Sequence, residues 1–294
     1  MNEMTERYYE FAGIRWCVRF PKALSYQEDG SLAPFVAEPG GCVHHTMEFE
    51  PVDRLSEPEG ELVFCESNKQ FYSSGDVRIR YQDTTPSSVA LAGLRIRREG
   101  ACSRIQVKKD CLCEGLTTKM VLNSMEVEHF IVQNYGFLLH ASFVQWRGEA
   151  ILFTAPSGTG KSTQADLWCT CRGAELINGD RVAVMLKEGR AYANGIPFCG
   201  SSGISKNTKM PLKAIVYLSQ APKTTIQRLT GLRAFSRVWE GCCVNTWERE
   251  DLQKCTDAVI KTVQAVPVYY LSCTPDETAV ISLQRALLEN GRFL

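Results

Sequence analysis

The residues best suited to chemistry form a short glycine-rich run that ends in a lysine and two hydroxyls. Ala155-Pro156-Ser157-Gly158-Thr159-Gly160-Lys161-Ser162-Thr163 fits the pattern G-x-x-x-x-G-K-[ST], except that Ala155 stands at the first glycine. The glycines let the backbone turn its N–H groups toward phosphate oxygens, and the following helix adds its positive end. The run therefore predicts a phosphate site for a nucleotide, with ATP and Mg²⁺ as the expected cofactors.

The side chains of this loop have separate expected roles. Lys161 reaches the β- and γ-phosphates, and the Ser162 hydroxyl is a magnesium ligand. The alternative is a glycine-rich turn with an incidental lysine, which the apolar strand before the run and the helical sequence after it disfavour. The expected nucleotide-binding residues are Ser157, Gly158, Thr159, Gly160, Lys161, Ser162 and Thr163.

An acidic residue follows the next expected strand. Residues 174–178 are typical of a short strand, and Gly179-Asp180-Arg181 comes directly after it. A carboxylate beside a phosphate cradle can hold magnesium or take a proton from an attacking hydroxyl. The alternative is a plain turn, for which Asn178-Gly179-Asp180 is equally well suited. The residues alone leave both interpretations of Asp180 open.

The elements around these residues predict two domains. Val77–Tyr81 alternates apolar and charged residues as a half-buried strand does, and Val89–Leu91 and Leu94–Arg97 continue the pattern. From about Glu114 the hydrophobic pattern changes, and it predicts a helix over 117–133 and strands over 137–146 and 150–154. We therefore predict a β-rich domain at 1–115, of unknown role, and an α/β nucleotide-binding domain at 116–294, so that the whole chain is α+β.

Two later segments carry expectations of their own. The polar stretch Gly200–Asn207 has the composition of a lid loop, in which Lys206 contacts the nucleotide or acceptor or is simply solvated. Residues 266–271 predict a late strand, placed at the sheet edge because Pro267 lacks an N–H.

Composition excludes several classes of function. Lys and Arg total 33 and Asp and Glu total 33, so the formal net charge of +0 disfavours nucleic acid or a membrane surface as a partner. No apolar run approaches the roughly 18 residues of a membrane helix, and the first residues do not resemble a secretory signal. The 13 cysteines include no C-x-x-C pair, which favours reduced thiols in a cytoplasmic protein.

Three segments resemble the kinase domain of the HPr kinase/phosphorylase family. They are Leu138–Ser142, Ala150–Thr163 and Gly173–Val182, within a similarity that covers about residues 117–290. The shorter HPr-kinase-like proteins found beside peptide-modification genes are especially similar. The resemblance implies a P-loop fold of the phosphoenolpyruvate-carboxykinase type. It also implies that His140 lies near the γ-phosphate as an accessory catalytic residue, whereas a lone histidine in an apolar strand is otherwise a core residue.

The chain departs from the family pattern at two places. Where the family has two adjacent aspartates, Gly179 replaces the first and Asp180 retains the second. The resemblance then implies Asp180 as catalytic base and metal ligand for forward transfer, without support for the reverse phosphorylase reaction. The arginine of the family's Arg-Gly-Leu-Gly-like segment is missing from residues 193–198, so phosphorylation of HPr itself does not carry over.

Together these features predict an ATP-dependent kinase that phosphorylates a hydroxyl. The resemblance points to Ser or Thr of a peptide or small protein as acceptor, and a homo-oligomer is compatible with the sequence. A small-molecule kinase is one alternative. Another is a nucleotide-gated binding or assembly protein with slow hydrolysis, which Gly179 keeps open.

Overall fold

The computed structural model describes residues 3–66, 68–82 and 93–289, and these form a mixed α/β chain. Residue contacts divide the chain into two compact units, Met1–Glu126 and Val127–Leu294. The strand expected at Val89–Leu91 lies outside the described residues. Within the described ranges, no helix is long and apolar enough to cross a membrane.

The first unit is dominated by an eight-stranded sheet in the order β1-β2-β4-β9-β8-β7-β6-β5. Its alternating strands bury one face, where Phe11 stacks on Trp16 with ring centroids 4.3 Å apart. The elements are β1 (Met4–Phe11), β2 (Ile14–Pro21), β3 (Tyr26–Gln27), β4 (His45–Val52), β5 (Glu61–Glu66), β6 (Lys69–Ser74), β7 (Val77–Gln82), β8 (Leu94–Glu99), β9 (Cys102–Lys108), β10 (Leu116–Thr117) and α1 (Thr118–Ser124).

The single helix expected over 117–133 is wrong, because two helices occupy that segment. α1 ends before Glu126, whose φ of 48° is left-handed and cannot continue a helix. α2 (Val127–Gln133) then begins the second unit. Because β10 pairs with β3, residues 116–126 lie in the first unit, and the contacts place the division after Glu126 rather than after residue 115.

The second unit contains a nine-stranded sheet with helices on both faces. Leu152 packs with α4 and α5, whereas its neighbour Phe153 packs with α3 and α6. The elements after α2 are β11 (Gly136–Trp146), β12 (Glu149–Thr154), α3 (Lys161–Arg172), β13 (Glu175–Asn178), β14 (Arg181–Lys187), β15 (Arg190–Gly195), β16 (Lys209–Gln220), β17 (Thr225–Leu229), α4 (Gly231–Trp239), β18 (Cys242–Cys243), α5 (Arg249–Ala265), β19 (Val268–Cys273) and α6 (Glu277–Glu289).

The long strand β11 organises this sheet because its neighbours change halfway along it. On one edge, β13 pairs with Phe143–Gln145 and β14 with Gly136–His140. On the other edge, β12 pairs with Ala141–Trp146 and β18 with Leu138–Leu139. Both edges of β11 therefore change partner next to His140.

The expectation of an edge strand at 266–271 is wrong. β19 lies between β16, its parallel neighbour, and β17, its antiparallel neighbour. Pro267 precedes the strand, and its carbonyl accepts a hydrogen bond from the Ile215 N–H at 3.1 Å. The missing N–H of Pro267 therefore interrupts no ladder bond within β19. β17, which covers the outer side, has no clear signal in the sequence.

Candidate active site

The glycine-rich run forms a tight loop between the end of β12 and the start of α3. Gly158 and Gly160 have φ values of 77° and 115°, a region that residues with a Cβ rarely adopt. No atom lies within 4 Å of the position a Cβ would take at either residue. Backbone conformation, rather than lack of space, therefore requires glycine at both positions.

Lys161 is held at the base of this loop. Its side chain is buried, and Nζ donates to the carbonyl oxygens of Ala155 at 3.1 Å and Pro156 at 3.5 Å. Burial lowers the pKa of Lys161, and the nearby Asp180 carboxylate acts in the opposite direction. Ser162 and Thr163, in the first turn of α3, are exposed.

A buried asparagine builds the turn that carries Asp180. Asn178 Oδ1 accepts hydrogen bonds from the backbone N–H groups of Asp180 at 2.9 Å and Arg181 at 3.1 Å. Its Nδ2 donates to the Ile196 carbonyl at 2.8 Å. The segment Asn178-Gly179-Asp180 is a turn, and this turn fixes the position of the Asp180 carboxylate. A turn-forming role of the segment and a chemical role of Asp180 therefore do not exclude each other.

His140 faces Asp180 across the point where β11 changes partners. Its Nε2 lies 3.5 Å from Asp180 Oδ1, and its side chain is 38% exposed. The strand is fixed on both sides, because the His140 N–H donates to Gly241 and the Thr154 hydroxyl donates to the His140 carbonyl. Burial and then the Lys161 charge lower the pKa of His140, while Asp180 raises it. The net lowering of the His140 pKa favours the neutral ring.

Arg181 completes the charged group beside Asp180. Its Nε lies 3.6 Å from Asp180 Oδ2, and its Nη1 lies 3.3 Å from Glu128 Oε1. The guanidinium also lies over the Phe198 ring, 5.2 Å from its centroid. Glu128 and Phe198 were not predicted, since only the fold brings α2 and the segment after β15 to this place.

The expected lid segment lies against Asp180, but its lysine is directed elsewhere. Residues 200–202 form a short 3-10 turn, and a Cβ at Gly200 would lie 2.8 Å from Asp180 Cβ. Lys206 Nζ pairs with Glu175 Oε1 at 2.5 Å, and both side chains are about half exposed. The described contacts of Lys206 thus account for its charge without a nucleotide.

Gly179 is required by the same turn. A Cβ at residue 179 would overlap the Ser202 side chain, 2.7 Å from its Cβ and closer still to its Oγ. The aspartate that the HPr kinase/phosphorylase pattern has at this position would therefore not fit here unless the 200–202 turn moved.

We predict that Gly179→Ala lowers the free energy of unfolding by about 1–3 kcal/mol, because the added methyl overpacks against Ser202. Ser202→Gly removes both overlapping atoms, so the double variant should regain most of that loss. Urea unfolding of the wild type, the two single variants and the double variant measures the coupling. Additive effects in this cycle would show that the two residues are not in contact.

The carboxylate of Asp180 and the hydroxyl of Ser162 are oxygen donors, which Mg²⁺ prefers. The structure places Lys161, His140 and Asp180 within electrostatic range of one another at the end of β12. This group combines the backbone N–H groups of the glycine-rich loop, a buried ammonium, an imidazole and a carboxylate.

Comparisons with known proteins give a family match and a distant similarity to a solved structure. Residues 106–278 match the family model described as SynChlorMet cassette protein ScmC. No curated protein matches the chain. Among solved structures, the Hpr(Ser) kinase/phosphatase from Coxiella burnetii is 13% identical, with 53% of this chain and 90% of that chain covered and a TM-score of 0.30.

Proposed function

The chain belongs to the SynChlorMet cassette protein ScmC family, and we propose that it is an ATP-dependent kinase that phosphorylates a hydroxyl. The observation that carries this proposal is the convergence of Lys161, His140 and Asp180 at the glycine-rich loop. A structural turn alone would not require a buried lysine at the loop base facing a paired histidine and carboxylate.

In the proposed reaction, Asp180 acts as the general base. It takes the proton of the acceptor hydroxyl while the hydroxyl oxygen forms a bond to the γ-phosphorus. The bond between the γ-phosphorus and the β,γ-bridging oxygen breaks, and ADP leaves with that electron pair. The backbone N–H groups of 157–163 and the Lys161 ammonium hold the phosphates in line for this transfer.

Two further side chains orient the reacting groups. The His140 ring donates a hydrogen bond to the transferring phosphoryl group or keeps Asp180 directed at the acceptor. Arg181, paired with Glu128, lies beside Asp180 Oδ2, on the other carboxylate oxygen from the one that His140 faces. Magnesium held by Ser162 and Asp180 would neutralise phosphate charge when bound.

The acceptor is proposed as a Ser or Thr hydroxyl of a peptide or small protein. This part rests on the resemblance of the three motifs to HPr-kinase-like proteins. The alternatives to a peptide or protein kinase are a small-molecule kinase and a nucleotide-gated binding protein.

The test is transfer of label from γ-labelled ATP with Mg²⁺ to peptides and metabolites of a cell extract. We expect acid-stable label on a hydroxyl acceptor, absent with α-labelled ATP and absent after chelation of the metal. Label on metabolites alone would favour a small-molecule kinase. Tight ATP binding without label on any acceptor would contradict the kinase proposal and favour a nucleotide-gated protein.

A further inference from the structure

A cavity of about 590 Å³ adjoins the glycine-rich loop on the face of the sheet that carries α3 and α6. It is lined by Gly158–Gly160, by Gln164 of α3, and by the ends of β16 and β19 up to Cys273. This volume lies within the range of small-molecule sites, which is roughly 300–1,000 Å³. Its contact with the loop means that a ligand bound there can extend its phosphates onto the N-terminus of α3.

Gln164 is the unexplained residue of this cavity. Only 2% of its surface is exposed, and its Nε2 donates to Cys273 Sγ at 3.5 Å. Its Oε1 is buried and has no hydrogen-bond partner among the residues that the structure describes. An unpaired buried carbonyl oxygen is costly, and a polar residue is a poor choice for a helix face packed on a sheet. A bound ligand that donates an N–H to Gln164 Oε1 would explain why a glutamine stands at this buried position.

Two other polar side chains of the cavity, Ser219 and Gln220, have partners within the chain. Ser219 Oγ and Ser272 Oγ are 2.7 Å apart. Gln220 Nε2 donates to the carbonyl oxygens of Thr159 at 3.3 Å and Gly158 at 3.5 Å, which ties the loop to the end of β16. Among the lining residues that the structure describes, Gln164 is the one with a buried side-chain oxygen that has no hydrogen-bond partner.

Resting on the proposed function, we propose that this cavity holds the nucleoside of the bound nucleotide and that Gln164 Oε1 accepts a hydrogen bond from the 6-amino group of adenine. Gln164 lies one helical turn beyond Lys161, so base and phosphates would be bound by the same end of α3. Hypoxanthine and guanine carry an oxygen in place of that amino group. Two oxygens would then face each other, and Gln164 would stay unpaired.

The experiment compares the Kd of ATP, inosine triphosphate and inorganic triphosphate, each with Mg²⁺. We expect the wild type to bind ATP about tenfold more tightly than inosine triphosphate. Gln164→Met keeps the side-chain volume but removes the acceptor. It should therefore weaken ATP binding about tenfold and give ATP and inosine triphosphate equal Kd values. Inorganic triphosphate reaches only the loop, so its Kd should not change. Gln253→Met, at an exposed position of α5, is the matched control and should behave as the wild type.

Two results would overturn this assignment while leaving the proposed kinase intact. One is a wild type that binds both nucleotides equally, and the other is a Gln164→Met variant that keeps the wild-type preference for ATP. Unchanged binding of inorganic triphosphate shows that the variant is folded at the loop. Failure of the wild type to bind inorganic triphosphate or ATP would overturn the base site and the proposed function together.

Discussion

Lys161→Ala is expected to weaken binding of ATP and of inorganic triphosphate by about 100-fold. The Nζ group is buried at the loop base, where its hydrogen bonds to Ala155 and Pro156 can be exchanged for charge-assisted bonds to phosphate oxygens. Calorimetric titration with each ligand measures the loss, and label transfer should fall at least as far because the same lysine stabilises the transferring group.

Lys261→Ala is the control for this variant. Lys261 is exposed on α5, and its loss changes the net charge equally without altering the loop. ATP binding by Lys161→Ala within about threefold of the wild type, or equal losses in the two variants, would mean that the loop does not bind phosphates.

Asp180→Asn is expected to lower the rate of phosphoryl transfer by more than about 100-fold, a loss of about 3 kcal/mol of transition-state stabilisation. An amide keeps the shape and the contact with the 200–202 turn but cannot accept the acceptor proton. Nucleotide affinity measured without added Mg²⁺ should change little, because the loop supplies it. The rate with saturating ATP separates this chemical defect from a binding defect.

Asp257→Asn, at an exposed position of α5, is the matched control. Transfer by Asp180→Asn at the wild-type rate would remove Asp180 from the role of base. A large loss of nucleotide affinity without Mg²⁺ would instead indicate that the substitution disturbs the turn built by Asn178.

The conformation of the glycine-rich loop could be predicted because its signals are local. Glycines at two positive-φ positions, an apolar strand before them and a helix after them lie within one short stretch, and the structure has each of these elements. Gln164 was overlooked although it adjoins the motif. The helical spacing of Gln164, Ala165 and Trp168 places all three on the buried face of α3. A polar residue on such a face is unusual and indicates a specific hydrogen-bonding role.

The surroundings of Asp180 could not be predicted, because they depend on long-range pairing. Only the partner change along β11 brings His140 next to Asp180, and only packing places Ser202 against Gly179. The break at Glu126 has a different cause. An apolar helical period runs through Met125 and Glu126, and the left-handed backbone at Glu126 overrides it.

The most direct test of the account is a rapid-quench experiment on wild type and Asp180→Asn with γ-labelled ATP already bound and the acceptor then added. The account predicts a fast transfer of label to the acceptor hydroxyl by the wild type. It predicts that Asp180→Asn holds the same amount of ATP and transfers the label at least about 100-fold more slowly. Bound ATP that the wild type never transfers, or equal rates in the two proteins, would contradict it.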